Sequence, residues 1–532
     1  MTERSRSFVG GAAVLAVAGV LGKIVAAFYR VWLNALIGPE GLGIYQIPSN
    51  FYAFLLVVST AGIPTAISKL VSENLARGDE RGAKETFIAA RRVLLLTGAL
   101  ATVLMALLAK PMANAVGQPS AYMGFFALSP ALLVVCMLSA YRGYFQGWQR
   151  MTPSAISQII EQIGRLVFGF GLAVLWFPRG AAWGAAGAVL GVTLSEVAAL
   201  AFISGSYSAH KRRHDIRIGS IDFKPIARRI FAIAVPVTIG ASIMPLVGLA
   251  DTMTVINRLT AAGFDPDHAT ATFGIFNGMV QSIINMPSVI TLALSISLVP
   301  AISQAIAMKD KGHATATAKT GVKLAALIGF PCSFGIFLLA EPIMGLLGVG
   351  YTTQEMALSS KLLGVMAFSV MFLSINQTTT GILQGYGRPM LPVISLGTGA
   401  ALKLILNYTL IAVPEINIMG AVIGSVSCYA VACVLNVLSV VKVSGMKLEF
   451  GKTIMLPLIS ALGMAAAVWL VKEFAGQFLG KTTTLALSVT AGVFIYGALA
   501  LLTKAITRRE LLLIPGGKYA VRLLTKLGIY KD

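Results

Sequence analysis

The 532 residues are 56% hydrophobic and only 12% charged, with a mean hydropathy of +0.81. A soluble protein of this length needs far more polar surface, so the water-soluble globular classes are excluded. The net charge of +21 then points to basic loops at a membrane face rather than to nucleic acid.

Apolar runs follow one another along the chain, each long enough to cross roughly 30 Å of hydrocarbon as a helix. The first six cover 8–36, 44–69, 92–110, 121–145, 154–177 and 183–205. After a basic stretch the pattern resumes over 230–256, 272–305, 322–346, 357–384, 390–413 and 418–441. Two more runs cover 453–472 and 482–503. The expected fold class is therefore an all-α polytopic membrane protein of about fourteen transmembrane helices. The N-terminal MTERSRSFVGG is charged but no small-residue cleavage site follows a short apolar core, so the first run is expected to be a retained helix. With the N-terminus inside, most of the 42 Lys and Arg residues fall in inside loops, which predicts a multi-pass protein of the bacterial plasma membrane with both termini cytoplasmic.

The stretch Tyr141 to Arg165 organises the chain, because much of it returns 238 residues later. Gly143, Gln146, Gly147, Arg150, Ile156, Ser157 and Arg165 fall on Gly381, Gln384, Gly385, Arg388, Ile394, Ser395 and Lys403 without a gap. GAVLG at 187–191 echoes GAVIG at 420–424, GIYQ at 43–46 echoes GIFN at 274–277, and Pro64 with AIS (66–68) echoes Pro300 with AIS (301–303). Two copies of six spans in the same order imply a parallel pseudo-two-fold repeat. The expected organisation is an N-lobe over 1–205, a basic cytoplasmic linker over 206–229, a C-lobe over 230–445, two final helices over 446–505 and an amphipathic basic tail over 506–532.

No Walker loop, metal spacing or nucleophile–base pair occurs, so a transporter rather than an enzyme is expected. The four cysteines lie inside apolar runs and the four histidines form no cluster, so no metal or cofactor is expected beyond a coupling ion (Na+, H+ or Cl−) or the membrane potential. The informative residues are charges inside spans, which are costly in hydrocarbon and usually face a bundle interior. Lys23 lies near the middle of the first run, and Arg30, seven residues on, shares its helix face. Snorkelling to the interface accounts for Arg30 as readily as a buried role, and for Lys23 less well. Arg165 lies midway along the fifth run, one turn after Glu161, the favourable order for an intrahelical pair. The second copy keeps a cation, Lys403, but has Gly399 where Glu161 stands, which makes the cation the stronger functional candidate. Glu161, Glu196 and Asp251 are candidate counter-ions or coupling sites, and for Glu196 and Asp251 a satisfied structural pair explains each equally well. The run holding Asp251 also carries Pro236 and Pro245, which suits a hinge. Lys361 reads as an interfacial anchor. Arg142, on the cytoplasmic side of the turn, lies within reach of a lipid phosphate, although an ordinary positive-inside residue is the simpler reading. Cations from the first, fifth and eleventh runs together predict a cavity able to hold an anion such as a lipid-linked pyrophosphate.

LGKIVAAFYRVWLNALIGPEGLGIYQ (21–46), GIPTAISKLVSE (62–73) and YRGYFQGWQRMTPSAISQIIEQIGR (141–165) together resemble the stage V sporulation protein B branch of the polysaccharide-exporter families. That branch lies close to the MurJ-type lipid II flippases, in the superfamily of the MATE drug exporters. The resemblance implies fourteen helices in two six-helix lobes plus a final pair, alternating access, and transport of an undecaprenyl-pyrophosphate-linked saccharide. It also implies cavity-lining basic residues in the first helix, where Lys23 is the best match. Where a MurJ-type first helix has an Arg-Asp pair, this chain has Tyr29 and Arg30. The expected function is thus a flippase for a cell-wall precursor, foremost lipid II, in peptidoglycan or polysaccharide biosynthesis or sporulation, with Lys23, Arg30, Arg142, Arg165 and Lys403 facing the substrate. A MATE-type cation-coupled drug antiporter, a flippase for another lipid-linked polysaccharide and a scaffold recruiting wall synthases are the alternatives.

Overall fold

The computed structural model describes the backbone of residues 3–60, 62–213, 222–447, 449–503 and 505–506; side chains at 3–18, 20, 23, 24, 27 and 213 lie outside the described set. Residues 214–221 of the expected linker and the expected tail beyond 506 lie outside the described residues.

The described chain is helical, and no strand occurs in it. In order the helices are α1 (Glu3–Thr60), α2 (Ile63–Ala76), α3 (Glu80–Leu107), α4 (Ala109–Ala115), α5 (Tyr122–Gly147), α6 (Met151–Gly164), α7 (Phe170–Trp176), α8 (Ala181–Arg213), α9 (Phe223–Ala261) and α10 (Pro266–Phe273). There follow α11 (Gln281–Asn285), α12 (Ser288–Ala307), α13 (Lys311–Leu347), α14 (Thr353–Met366), α15 (Phe368–Gly385), α16 (Met390–Leu410), α17 (Met419–Ser444), α18 (Leu456–Phe478) and α19 (Lys481–Leu502). Helix is the expected form, since hydrocarbon offers the backbone no other partners. Among the described residues, 12 helices are long and apolar enough to cross a membrane, or 13 if α14 and α15, bent by 41°, count as one span. The expected fourteen are compatible with this. α1 turns sharply at Gly38, whose φ of 70° favours glycine, just before Pro39. The apolar run 272–305, expected as one span, is instead two helical stretches broken at Met286–Pro287, where proline removes a backbone donor.

The chain forms two compact units. One comprises the chain up to Ser282 together with Asn407–Ile418; the other comprises Ile283–Leu406 and the chain from Met419 onward. The first unit has a core of Ile67, Phe87, Leu94, Tyr144, Phe145 and Ile230, drawn from α2, α3, α5 and α9. The second is built on Leu298, Ile302, Val322, Ile382, Leu383 and Val440 from α12, α13, α15 and α17. There α18 packs on α13 through Leu339, Met464 and Val468.

The internal repeat is visible in the contacts. A Cβ on Gly143 would lie 2.9 Å from the Pro64 carbonyl oxygen, and one on Gly147 3.0 Å from that of Ser68. In the second copy Gly381 and Gly385 meet Ser295 and Val299 in the same way, at 2.6 and 3.1 Å. Helix α5 therefore lies flush on α2, and α15 flush on α12. The N-caps of α3 and α13, Asp79 and Asp310, accept from Gly82 and His313, and each follows a positive-φ residue, Gly78 or Lys309. The early helices thus repeat 231 residues apart and the turn motif 238 apart. GIYQ and GIFN, also 231 apart, meet each other inside the first unit: the Gln46 amide donates to the Asn277 carbonyl at 3.1 Å, and a Cβ on Gly274 would sit 2.6 Å from the Gly43 nitrogen. The Pro64 and Pro300 echo does not fit this register, since Pro64 corresponds to Ser295.

Candidate functional site

The turn after α6 places the first arginine. Residues Arg165–Gly169 form a π-helical turn, a local widening that often accompanies functional sites. Its cause is close backbone packing on α8. A Cβ on Gly191 would lie 2.2 Å from Gly169 Cα, and one on Gly164 2.9 Å from Ser195 Cβ. That contact sets Arg165 beside Glu196 of α8.

A charged cluster results within the first unit. Glu161 sits between two guanidinium groups. Its Oε2 accepts from Arg142 Nη2 at 3.0 Å, and its Oε1 accepts from Arg165 Nη2 at 3.4 Å. Arg142 is further fixed by donating from Nε to Ser157 Oγ at 2.9 Å. Arg165 Nη2 also lies 3.9 Å from Glu196 Oε1, which accepts from the Tyr52 hydroxyl at 2.8 Å. Glu196 is only 2% exposed. Its Oε2, Arg165 Nε and Gln162 Oε1 are buried with no hydrogen-bond partner among the described residues. Buried polar atoms of this kind call for water or a ligand.

Arg30 stands on α1, near enough to Arg165 for their charges to interact. It donates from Nη1 to Ser282 Oγ at 2.6 Å. Three arginines therefore share a region with two carboxylates, Glu161 and Glu196, and a cationic excess remains. Charges on these helices cannot face hydrocarbon cheaply, so the cluster is suited to an anion that can take bidentate bonds from guanidinium.

The other sequence candidates lie elsewhere. The Lys23 side chain lies outside the described residues. Asp251 is buried in α9, where its Oδ1 accepts from Asn407 Nδ2 at 2.8 Å, both within the first unit. Lys403 is buried in α16 in the second unit. There the positions matching Arg142 and Glu161 are Thr380 and Gly399, and Asn436 Nδ2 donates to Asn376 Oδ1 at 2.6 Å and to Thr380 Oγ1 at 3.4 Å. The Arg142–Glu161 pair of the first copy therefore has no counterpart at the matching positions of the second. Sequence reasoning found Ser157 only as a repeat position and missed Tyr52, Ser282 and Asn407. Their only signal is a polar tip inside an apolar run.

Among the described residues no group of three or more His, Cys, Asp or Glu side chains could hold a metal ion. A sequence profile described as polysaccharide biosynthesis protein matches residues 8–306. The chain belongs to that family. The MatE profile matches residues 231–409. Stage V sporulation protein B of Bacillus subtilis (strain 168) is 26% identical over 519 residues, 96% of this chain and 98% of that protein. Lipid II flippase MurJ of the same organism is 25% identical over 501 residues, covering 89% and 90%. A solved structure of lipid II flippase MurJ in an inward closed conformation superposes with a TM-score of 0.67 at 14% identity, covering 92% of this chain and 98% of that one. The fold is the MurJ and MATE fold. The family member is a multi-span membrane transporter of the flippase and MATE superfamily, not an enzyme.

Proposed function

We propose that this family member is a flippase that carries an undecaprenyl-pyrophosphate-linked cell-wall precursor, lipid II foremost, across the plasma membrane by alternating access. The observation that carries this reading is the Arg142–Glu161–Arg165 arrangement, with Arg30 nearby. A single carboxylate between two guanidinium groups occupies the place a diphosphate would take, and a diphosphate brings more charge and more acceptor oxygens. The similarity to MurJ and to stage V sporulation protein B over most of the chain supports the same substrate class. The positive-inside charge pattern supports both termini in the cytoplasm, so the headgroup would enter from that side. Arg30, Arg142 and Arg165 would neutralise the pyrophosphate, with Lys23 a further cation on α1 and Lys403 a candidate within the second unit.

Glu161 is the group the substrate would displace. Glu196 and Asp251 are the carboxylates left to carry H+ or Na+ in resetting the cycle; Cl− or the membrane potential would reset it without them. Wall synthases are the natural acceptors of the product. Growth complementation tests the reading: a strain that relies on this chain should fail with Arg165→Gln or Lys23→Ala while the protein remains in the membrane. Normal growth with both variants would remove their assigned role. Buried acids such as Glu196 favour a second reading, a cation-coupled drug antiporter of the MATE kind. Export of cationic dyes that is lost in Glu196→Gln, with precursor transport unchanged, would select it.

A further inference from the structure

A second polar site lies far from the arginine cluster in sequence, in the second unit. A cavity of about 180 Å³ opens where the end of α13, the start of α14, the end of α18 and the start of α19 meet, lined by Leu339, Glu341, Met356, Lys472, Lys481 and Ser488 among others. Lys472 lies six residues before the end of α18, roughly 9 Å along the axis, the depth at which lysines reach the headgroup layer. Its Nζ is 3.7 Å from Glu341 Oε2 and donates to the Leu338 carbonyl at 3.4 Å. The Glu341 side chain is 76% exposed, so the carboxylate is turned outward. Lys481 is the first residue of α19, where the helix terminus adds partial positive charge. Two turns further on, Ser488 is fully buried, and its Oγ has no hydrogen-bond partner among the described residues. Apart from Thr484, the remaining side chains of the wall are apolar, among them Leu339, Pro342 and Leu485.

We propose that this cavity binds a resident anionic glycerophospholipid, with its phosphate between Lys472 and Lys481 and an acyl chain along the apolar wall. Two lysines and a helix N-terminus face one outward-turned carboxylate, so the charge complements a phosphate diester. The apolar lining excludes a freely soluble anion as the natural occupant, and Ser488 supplies a hydroxyl to a glycerol or phosphate oxygen. Such a lipid would tie the final helix pair to α13 whatever substrate the transporter carries.

The test is native mass spectrometry and thermal unfolding of the full chain in detergent supplied with phosphatidylglycerol, phosphatidylcholine or inorganic phosphate. Phosphatidylglycerol should stay bound and raise Tm, and the paired variant Lys472→Gln with Lys481→Gln should weaken it roughly thirtyfold. The paired Arg replacements should restore binding. Ser488→Ala, which removes only the unpartnered hydroxyl, should lower retention while leaving the unliganded Tm near that of the parent. Equal retention of phosphatidylcholine, an equal Tm rise with inorganic phosphate, or unchanged retention in the paired Gln variant would each overturn the proposal.

Discussion

Replacing Glu161 with Gln removes the one carboxylate that Arg142 and Arg165 share. The two contacts are 3.0 and 3.4 Å, between side chains 15%, 16% and 24% exposed. Unit charges 3.0 to 3.4 Å apart attract by about 5 kcal/mol per pair at an effective dielectric of roughly 20, which bounds each contact from above. Partial hydration of all three groups lowers it, leaving about 1–3 kcal/mol. In the parent an incoming diphosphate must displace this carboxylate; in the variant it need not. Pyrophosphate affinity should therefore rise roughly 5- to 150-fold. The unliganded protein should be destabilised, because Arg142 loses its counter-charge and Arg165 keeps only Glu196, at 3.9 Å. Isothermal titration of inorganic pyrophosphate into purified protein, with Tm measured on the same samples, reads both effects. Unchanged or weaker pyrophosphate binding in Glu161→Gln would refute the idea that Glu161 holds the anion's place.

Other consequences follow from the same contacts. Gly191→Ala puts a methyl 2.2 Å from Gly169 Cα; it should cost about 1–3 kcal/mol by forcing α8 from the π-turn, lowering both Tm and flipping with no charge altered. Tyr52→Phe removes only the hydroxyl that donates to Glu196. It should cost about 1–3 kcal/mol in unfolding free energy, the range for a buried acceptor that loses its donor; an unchanged Tm would mean that the hydrogen bond is not made. At the start of α13, the hydrogen bond from Lys319 holds the exposed Glu449 carboxyl below its ordinary value. Its stabilisation is present above the ordinary carboxylate range and is lost as pH falls through the lowered value. A Tm–pH profile should therefore drop more steeply on the acid side in the parent than in Lys319→Met.

The helices were legible in the sequence because long apolar runs have only one way to satisfy their backbone in a membrane. The repeat was legible at the turn, where Gly143, Gly147, Gly381 and Gly385 allow close helix approach, and at Gly43 and Gly274, which meet. It was misread at Pro64 and Pro300, because a short apolar tripeptide recurs by chance and the seven extra residues between the two repeat registers are invisible without contacts. The Glu161–Arg165 pair follows from helical spacing. Arg142 joining it, and Tyr52 meeting Glu196 from 144 residues away, do not, since local periodicity is blind to such distances. The break at Pro287 was hidden because the flanking runs are equally apolar.

The central claim is that the arginine cluster recognises a lipid-linked pyrophosphate during transport. Purified protein in proteoliposomes, offered fluorescent lipid II with an impermeant quencher outside, tests it with and without a membrane potential. The account predicts translocation well above that of empty vesicles, lost in the double variant Arg142→Gln with Arg165→Gln while that protein still reconstitutes. Translocation by the double variant at the parent rate, or none by the parent where a control flippase works, would contradict it.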